Sequence, residues 1–389
     1  MLQFLIQKWI PNSEDTQNPN VRKAYGTCSS VVGICCNLLL FGIKYAAGTF
    51  SHSISIISDA FNNLSDCASC LVTMFGYKLA AKPADKDHPF GHGRMEYITS
   101  LVIAAMIVLM GFELCRNSLD KILHPEELVF HPVTLAVLLL SIGIKLWMAH
   151  FNTFLGKRVH SSVMLATAKD SRSDVIATSA TVIALFSSFV THLPVDGIMG
   201  IAVSLFILKT GFDIIRDTVG DLLGRPADAK TVQQLKELVL RHKAIEGIHD
   251  LMIHNYGPGK MMGSCHVEVR SDADFVAVHE VVDKIEREIY DKMQIMMTIH
   301  MDPIELDNLQ VHKYKILTEK IVSSLDQNLS IHDFRLVSGK ETNRLIFDVL
   351  VPFGCQYTTE ELKEMITAEL QHQDKTCQTV ITFDLDYTA

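Results

Sequence analysis

Two pairs of oxygen-bearing side chains stand four residues apart inside apolar stretches: Asn62 with Asp66, and Asp170 with Asp174. Residues at this spacing share one face of a helix, so each stretch aims two ligands the same way. If the two helices face each other, four oxygen donors converge. Unpaired carboxylates in a membrane span cost on the order of several kcal/mol each, whereas a divalent cation would neutralise two charges at once. An all-oxygen set suits hard ions such as Mn²⁺, Mg²⁺ or Ca²⁺, while Zn²⁺ usually takes His or Cys. Fe²⁺ fits less well. Protons compete with metal for clustered carboxylates, which is a physical route to proton-coupled exchange. Asp59 extends the first stripe and is placed to relay protons or orient ligands; Thr167 and Thr178 extend the second. The competing reading is that these groups bond one another and hold a bundle together, with Lys169 and Arg172 neutralising part of the charge.

Both stretches lie in an apolar first half. The chain has 389 residues, of which 48% are hydrophobic, and a mean hydropathy of +0.21. That is too apolar for a wholly soluble protein, yet the second half reads as soluble. Six segments approach the length of a span: 28–50, 54–80, 97–116, 132–154, 163–190 and 198–215. Lys78, Lys82, Lys86 and Arg94 follow the second, Lys157 and Arg158 the fourth, and Arg216 and Arg225 the sixth. The positive-inside rule then puts both termini in the cytoplasm. Lys44 in the first span is expected to snorkel. No convincing signal peptide precedes that span. A net charge of -9 argues against a nucleic-acid partner. The nine Cys show no disulfide spacing, and those of the tail fit a reducing cytosol.

Between the second and third spans, Asp85, His88 and His92 would converge on a helical turn as a metal site, although Pro83, Pro89, Gly91 and Gly93 equally shape a tight turn. Arg94 is expected to pair with Asp217 or Asp221. After Pro226 the pattern reads helix 231–241, strands 248–255 and 264–269, helix 275–290 and strand 296–302, a small α/β sandwich. Residues 312–389 repeat that order. Ile331-His332-Asp333-Phe334 echoes Ile248-His249-Asp250-Leu251, and Thr382-Phe383-Asp384-Leu385-Asp386 parallels Thr298-Ile299-His300-Met301-Asp302. On this alignment Asp348 and Asp384 replace His266 and His300, and the second copy reads as a degenerate site, an oxygen-rich sensor for a harder metal or a structural extension, the last being preferred. His279-Glu280 lacks the second His of a zinc protease, and no nucleophile–base set or cofactor loop is present, so an enzyme is not expected.

Three stretches carry a resemblance: Gly42-Ile43-Lys44 through Asp66, the loop Pro83-Ala84-Asp85-Lys86-Asp87-His88-Pro89-Phe90-Gly91-His92-Gly93, and Ile299-His300-Met301-Asp302-Pro303. Over roughly residues 37–302 the chain resembles the cation diffusion facilitator family. The resemblance implies a divalent metal/proton antiporter that works by alternating access, without a catalytic cofactor, as a homodimer in a lipid bilayer, here the plasma membrane. It implies six transmembrane helices followed by a cytosolic α+β ferredoxin-like domain similar to metallochaperones; residues 312–389, the diverged second copy read from the repeated order, depart from the usual family length. The domains are then 1–27, 28–216, 217–311 and 312–389. It carries the transport site onto Asn62, Asp66, Asp170 and Asp174. Zinc members place His on at least one of these spans, so Asn62 and Asp170 resemble the manganese subgroup, with Mn²⁺ ahead of Zn²⁺ or Fe²⁺. It carries a loop site onto Asp85, His88 and His92, and a cytosolic site onto His249, His266, His279, His300 and Asp302, whose imidazoles suit Zn²⁺ better. The alternative from another class is a membrane-anchored metal sensor without flux.

Overall fold

The computed structural model describes residues 9–16, 18–50, 54–124, 132–187, 195–339, 342–385 and 387. The end of the fifth expected span, 188–190, and Asp386 lie outside these described residues. The chain divides into two compact units, 1–225 with 256–259, and 226–255 with 260–389.

The first unit is helical: α1 (Pro19–Phe50), α2 (Ile54–Ala80), α3 (Met95–Leu123), α4 (Pro132–Arg158), α5 (Ser162–Ser187) and α6 (Val195–Leu223). Most of these helices outrun their apolar stretches. Hydropathy marks only the part suited to hydrocarbon, whereas the backbone stays helical through the polar ends because that satisfies its own hydrogen bonds. Among the described residues four helices are long and apolar enough to cross a membrane: α1, α3, α4 and α6. The other two, α2 and α5, carry the polar stripes. The helices pack chiefly as α1 with α2, α3 with α6 and α4 with α5. Small residues permit the close approach: a Cβ on Gly26 would run into the Tyr77 ring, and one on Gly200 into the Ser118 hydroxyl. Leu38, Leu39, Leu109, Phe112, Leu139 and Phe206 stay exposed, as a lipid-facing wall requires. At the start of α1, the buried Arg22 guanidinium donates to both oxygens of Glu96 on α3, at 2.9 and 2.8 Å, and also to the Val159 carbonyl beyond α4.

The second unit runs α7 (Ala229–Leu240), β1 (Gly247–Asn255), β2 (Met261–Arg270), α8 (Phe275–Met293), β3 (Ile295–Ile304), then α9 (Leu309–Leu325), β4 (Ser330–Ser338), β5 (Asn343–Val351), α10 (Thr359–Gln373) and β6 (Cys377–Leu385). Each half holds a sheet whose first two strands are antiparallel and whose last two are parallel. Each half also has its own core. Cys265, Val267 and Ile299 meet Leu235 and Ile285 in the first; Leu345, Phe347 and Val349 meet Ile366 and Leu370 in the second. Strand alternation sends His266 and Asp348 to the faces opposite these cores. Asp228, Asp274 and Asn308 cap α7, α8 and α9, and Thr358 forms a capping box with Glu361 on α10.

The two halves share a distortion. β1 breaks register between His249 and Met252, and β4 between His332 and Arg335. At the breaks Asp250 and Asp333 have φ of 50° and 47°. Asp tolerates this left-handed conformation better than most residues, and a bulge re-aims the side chains beside it. Register also corrects the sequence alignment of the last strand. Ile295 lies opposite Met261, and Cys377 opposite Asn343. Counting along each ladder, Thr382 opposes Asp348 as His300 opposes His266, and Asp384 opposes Leu350 as Asp302 opposes Glu268. Asp384 therefore occupies the place of Asp302, not of His300. Motif similarity suggested a pairing that the ladder offsets by two residues.

Candidate metal sites

Helix α2 positions Asp66, and α5 positions Asp170 and Asp174. Asp66 and Asp170 are buried, Asp174 is partly so, and Asn62 is exposed one turn before Asp66. A third helix enters the site. The buried Lys145 of α4 donates to Asp66 at 2.7 Å and to Asp174 at 2.6 Å. Asn63 donates to Asp66 at 3.4 Å. Of the four expected donors, Asp66 and Asp174 share one cation, Asp170 lies within their electrostatic reach, and the Asn62 side chain is exposed. The neutralising charge is thus Lys145 rather than Lys169 or Arg172, and Arg172 donates instead to Thr153 at 3.1 Å. Lys145 was legible as a lone Lys in the apolar run Ser141-Ile142-Gly143-Ile144-Lys145-Leu146-Trp147, since ionisable groups in spans face interiors and find partners.

Lys44 does not snorkel. It is buried and meets Asp59 at 2.8 Å, tying α1 to α2. A carboxylate within reach of the buried stem substitutes for the distant water. Asp59 is accordingly held in an ion pair.

The loop between α2 and α3 brings Asp85, His88 and His92 together, with ligand atoms within 4.8 Å of one another. His88 Nδ1 lies 3.3 Å from one Asp85 oxygen and His92 Nε2 3.5 Å from the other. The convergence does not come from the expected helical turn. The segment is irregular, closed by the His88 backbone N–H donating to Asp85 at 2.9 Å; Pro83 and Pro89 disfavour helix here. Hydrogen bonds from Lys82 and from the His88 N–H hold the Asp85 carboxyl well below the usual range. His92 Nδ1 donates to the Pro83 carbonyl at 3.2 Å, which leaves Nε2 turned to Asp85. Farther on, Asp217 and Asp221 pair with Arg225, at 3.0 and 3.7 Å.

In the tail, Asp302 gathers three imidazoles. His266 Nδ1 is 2.9 Å and His249 Nε2 3.3 Å from one oxygen, and His300 Nε2 is 3.4 Å from the other. His279 is exposed on α8 beside Phe275 and, among the described residues, joins no ligand group. Burial works against protonation of His249, but the adjacent Asp250 and Asp302 carboxylates outweigh it and push the imidazole up to about 9. Its Nε2 is buried without a hydrogen bond. A buried imidazole nitrogen aimed at a carboxylate and a second imidazole fits a metal ligand. The second half of the tail reaches the same place: the His249 and His332 rings are 4.5 Å apart, and His332 Nε2 lies 3.2 Å from Asp250.

Residues 30–223 match the cation efflux transmembrane domain, and residues 227–304 match the cytoplasmic domain of cation efflux proteins. An uncharacterised transporter of Methanocaldococcus jannaschii is 32% identical over 252 residues, 65% of this chain and 88% of that protein. The chain belongs to the cation diffusion facilitator family. Other relatives include the manganese efflux system protein MneS of Bacillus subtilis, 26% identical over 72% of this chain and 96% of its own. The cation-efflux pump FieF of Pectobacterium carotovorum is 25% identical over 72% of this chain and 93% of its own. This family consists of cation efflux transporters, not enzymes, and the chain is an integral membrane protein with a mixed α/β cytoplasmic part.

Proposed function

We propose that this chain exports Mn²⁺ from the cytoplasm in exchange for protons. The observation that carries the reading is Lys145 held by Asp66 and Asp174: residues from three helices already build a place for one buried cation. On this reading α2 and α5 also cross the membrane, giving six spans with both termini in the cytoplasm. The plasma membrane is the proposed location. A homodimer is the proposed assembly, supported by the match to a cytoplasmic domain described as dimeric; His279 would then serve a site shared between copies.

The proposed cycle follows from charge balance. In the inward-facing state Mn²⁺ displaces the Lys145 ammonium and is held by Asp66, Asp170 and Asp174, with Asn62 turning in as the helices rock. All four donors are oxygen, which favours Mn²⁺ over Zn²⁺, and the Bacillus relative is named for manganese efflux. Once the site faces outward, protons compete for the carboxylates and the metal leaves. Lys145 returns to Asp66 and Asp174 and offsets one of their two charges, and a proton carried on the carboxylates offsets the other while the carrier resets without metal. Asp85, His88 and His92 sit outside this cycle as a structural or entry site. The His249 cluster holds a resident metal, Zn²⁺ by ligand type. The test is metal flux into proteoliposomes: Mn²⁺ flux lost in Asp66→Asn supports the assignment, and wild-type flux in that variant contradicts it.

A further inference from the structure

The tail contains a ligand set that neither the transport reading nor the His249 cluster uses. Asp250, His332, Asp348 and Asp384 place one ligand atom each within 4.8 Å of the others. The residues come from both halves: Asp250 from β1, and the other three from β4, β5 and β6. We propose that these four residues form a second tail metal site, which takes a divalent cation of the hard, Mn²⁺-like class and clasps the two halves together.

The first argument is unmet bonding capacity. The His332 side chain is only 10% exposed, and its Nε2 has no hydrogen bond, although Asp250 lies 3.2 Å and Asp384 3.4 Å away. The Asp384 oxygen facing it is likewise buried without a hydrogen bond. Buried polar atoms are ordinarily bonded, and an orphaned nitrogen aimed into carboxylates asks for a partner. Among the described residues no Lys or Arg pairs with Asp250, Asp348 or Asp384; the nearby Arg335 pairs with Asp333 at 2.7 Å. Even a protonated His332 supplies one positive charge against three carboxylates, which leaves room for a divalent cation.

The second argument comes from register. His332 occupies the place of His249, Asp348 that of His266, Thr382 that of His300 and Asp384 that of Asp302. The same scaffold thus appears twice, with three imidazoles reduced to one: a carboxylate stands in place of His266 and a threonine hydroxyl in place of His300. Exchanging nitrogen for oxygen donors moves preference from Zn²⁺ toward harder ions. Asp250 links the two sets. One of its oxygens is 3.3 Å from His249 Nδ1, where it orients that ring, and the other is 3.2 Å from His332 Nε2. All four ligands belong to the second unit, so the inference stands apart from the transport site.

The experiment uses the full-length protein in detergent, stripped of metal and dialysed against Mn²⁺ or Zn²⁺, with bound metal counted by elemental analysis. Asp348→Asn/Asp384→Asn keeps the side-chain volumes and relieves carboxylate crowding. It should bind one Mn²⁺ fewer per chain than the wild type and retain the Zn²⁺ of the His249 cluster. His266→Ala should show the reverse, losing Zn²⁺ and keeping that Mn²⁺. Equal Mn²⁺ in the double variant and the wild type overturns the proposal, as does parallel loss of both metals in His266→Ala. Should the double variant lose Zn²⁺ too, His332→Gln decides: loss of one Mn²⁺ alone supports the site, and unchanged Mn²⁺ overturns it.

Discussion

Lys145 on α4 lies 2.6 Å from Asp174 on α5, and the same ammonium reaches Asp66 on α2 at 2.7 Å. One side chain therefore joins three helices at the proposed transport site. In an apolar setting neither the ammonium nor the carboxylates could remain charged alone at low cost. Any metal that enters must replace Lys145 as the counter-charge, so the pairing bears on affinity as well as on stability.

Replacing Lys145 by Met removes this internal competitor. If the competition is worth about 1.4 kcal/mol, Mn²⁺ affinity rises by roughly tenfold. Turnover falls at the same time, because the metal-free carrier is left with uncompensated carboxylates. Equilibrium Mn²⁺ binding and proteoliposome flux on one preparation check both halves. Unchanged affinity would show that Lys145 and metal do not share the site.

Asn62→His supplies an imidazole one turn from Asp66. Because nitrogen donors suit Zn²⁺ better than Mn²⁺, the ratio of Zn²⁺ to Mn²⁺ flux rises. Parallel uptake assays measure it. An unaltered ratio removes Asn62 from selectivity, an outcome given force by its exposed position in this structure.

Arg22→Ala leaves Glu96 buried and without its bidentate partner. Breaking such a pair typically costs about 3–5 kcal/mol, whereas replacing both partners by apolar groups is often close to neutral. Thermal unfolding in detergent should therefore drop for Arg22→Ala and largely recover in Arg22→Met/Glu96→Leu. Equal losses in both would mean that the charge pair is not what holds α1 to α3 here.

Asp85→Ala removes the carboxylate that both His88 and His92 approach. Bound metal falls by one per chain, and maximal flux is kept. Loss of flux comparable to Asp66→Ala would instead place the loop site in the transport path.

The helical first unit and the twofold helix–strand–strand–helix–strand order were legible because apolar periodicity records burial. The loop triad was legible from spacing, although two prolines made the route to convergence irregular rather than helical. Long-range pairings were not legible. Nothing local to Lys145 states that its ammonium reaches α2 as well as α5, and nothing local to Lys44 names Asp59 as its partner. The place of Asp384 depended on how β6 pairs with β5, which is set along the whole strand rather than by the residues beside it. The echo of His249 in His332 was visible in sequence. That their rings come within 4.5 Å required the faces of the two halves to meet.

The central claim is most directly tested by uptake into proteoliposomes holding the full-length protein, with Mn²⁺, Zn²⁺ and Fe²⁺ offered in parallel, internal pH recorded, and Asp66→Ala as the control. Mn²⁺ flux with proton movement in the opposite direction is expected, both abolished in Asp66→Ala, whose dimer survives. Zn²⁺ flux without Mn²⁺ flux, or Mn²⁺ flux that persists in Asp66→Ala, would contradict the claim.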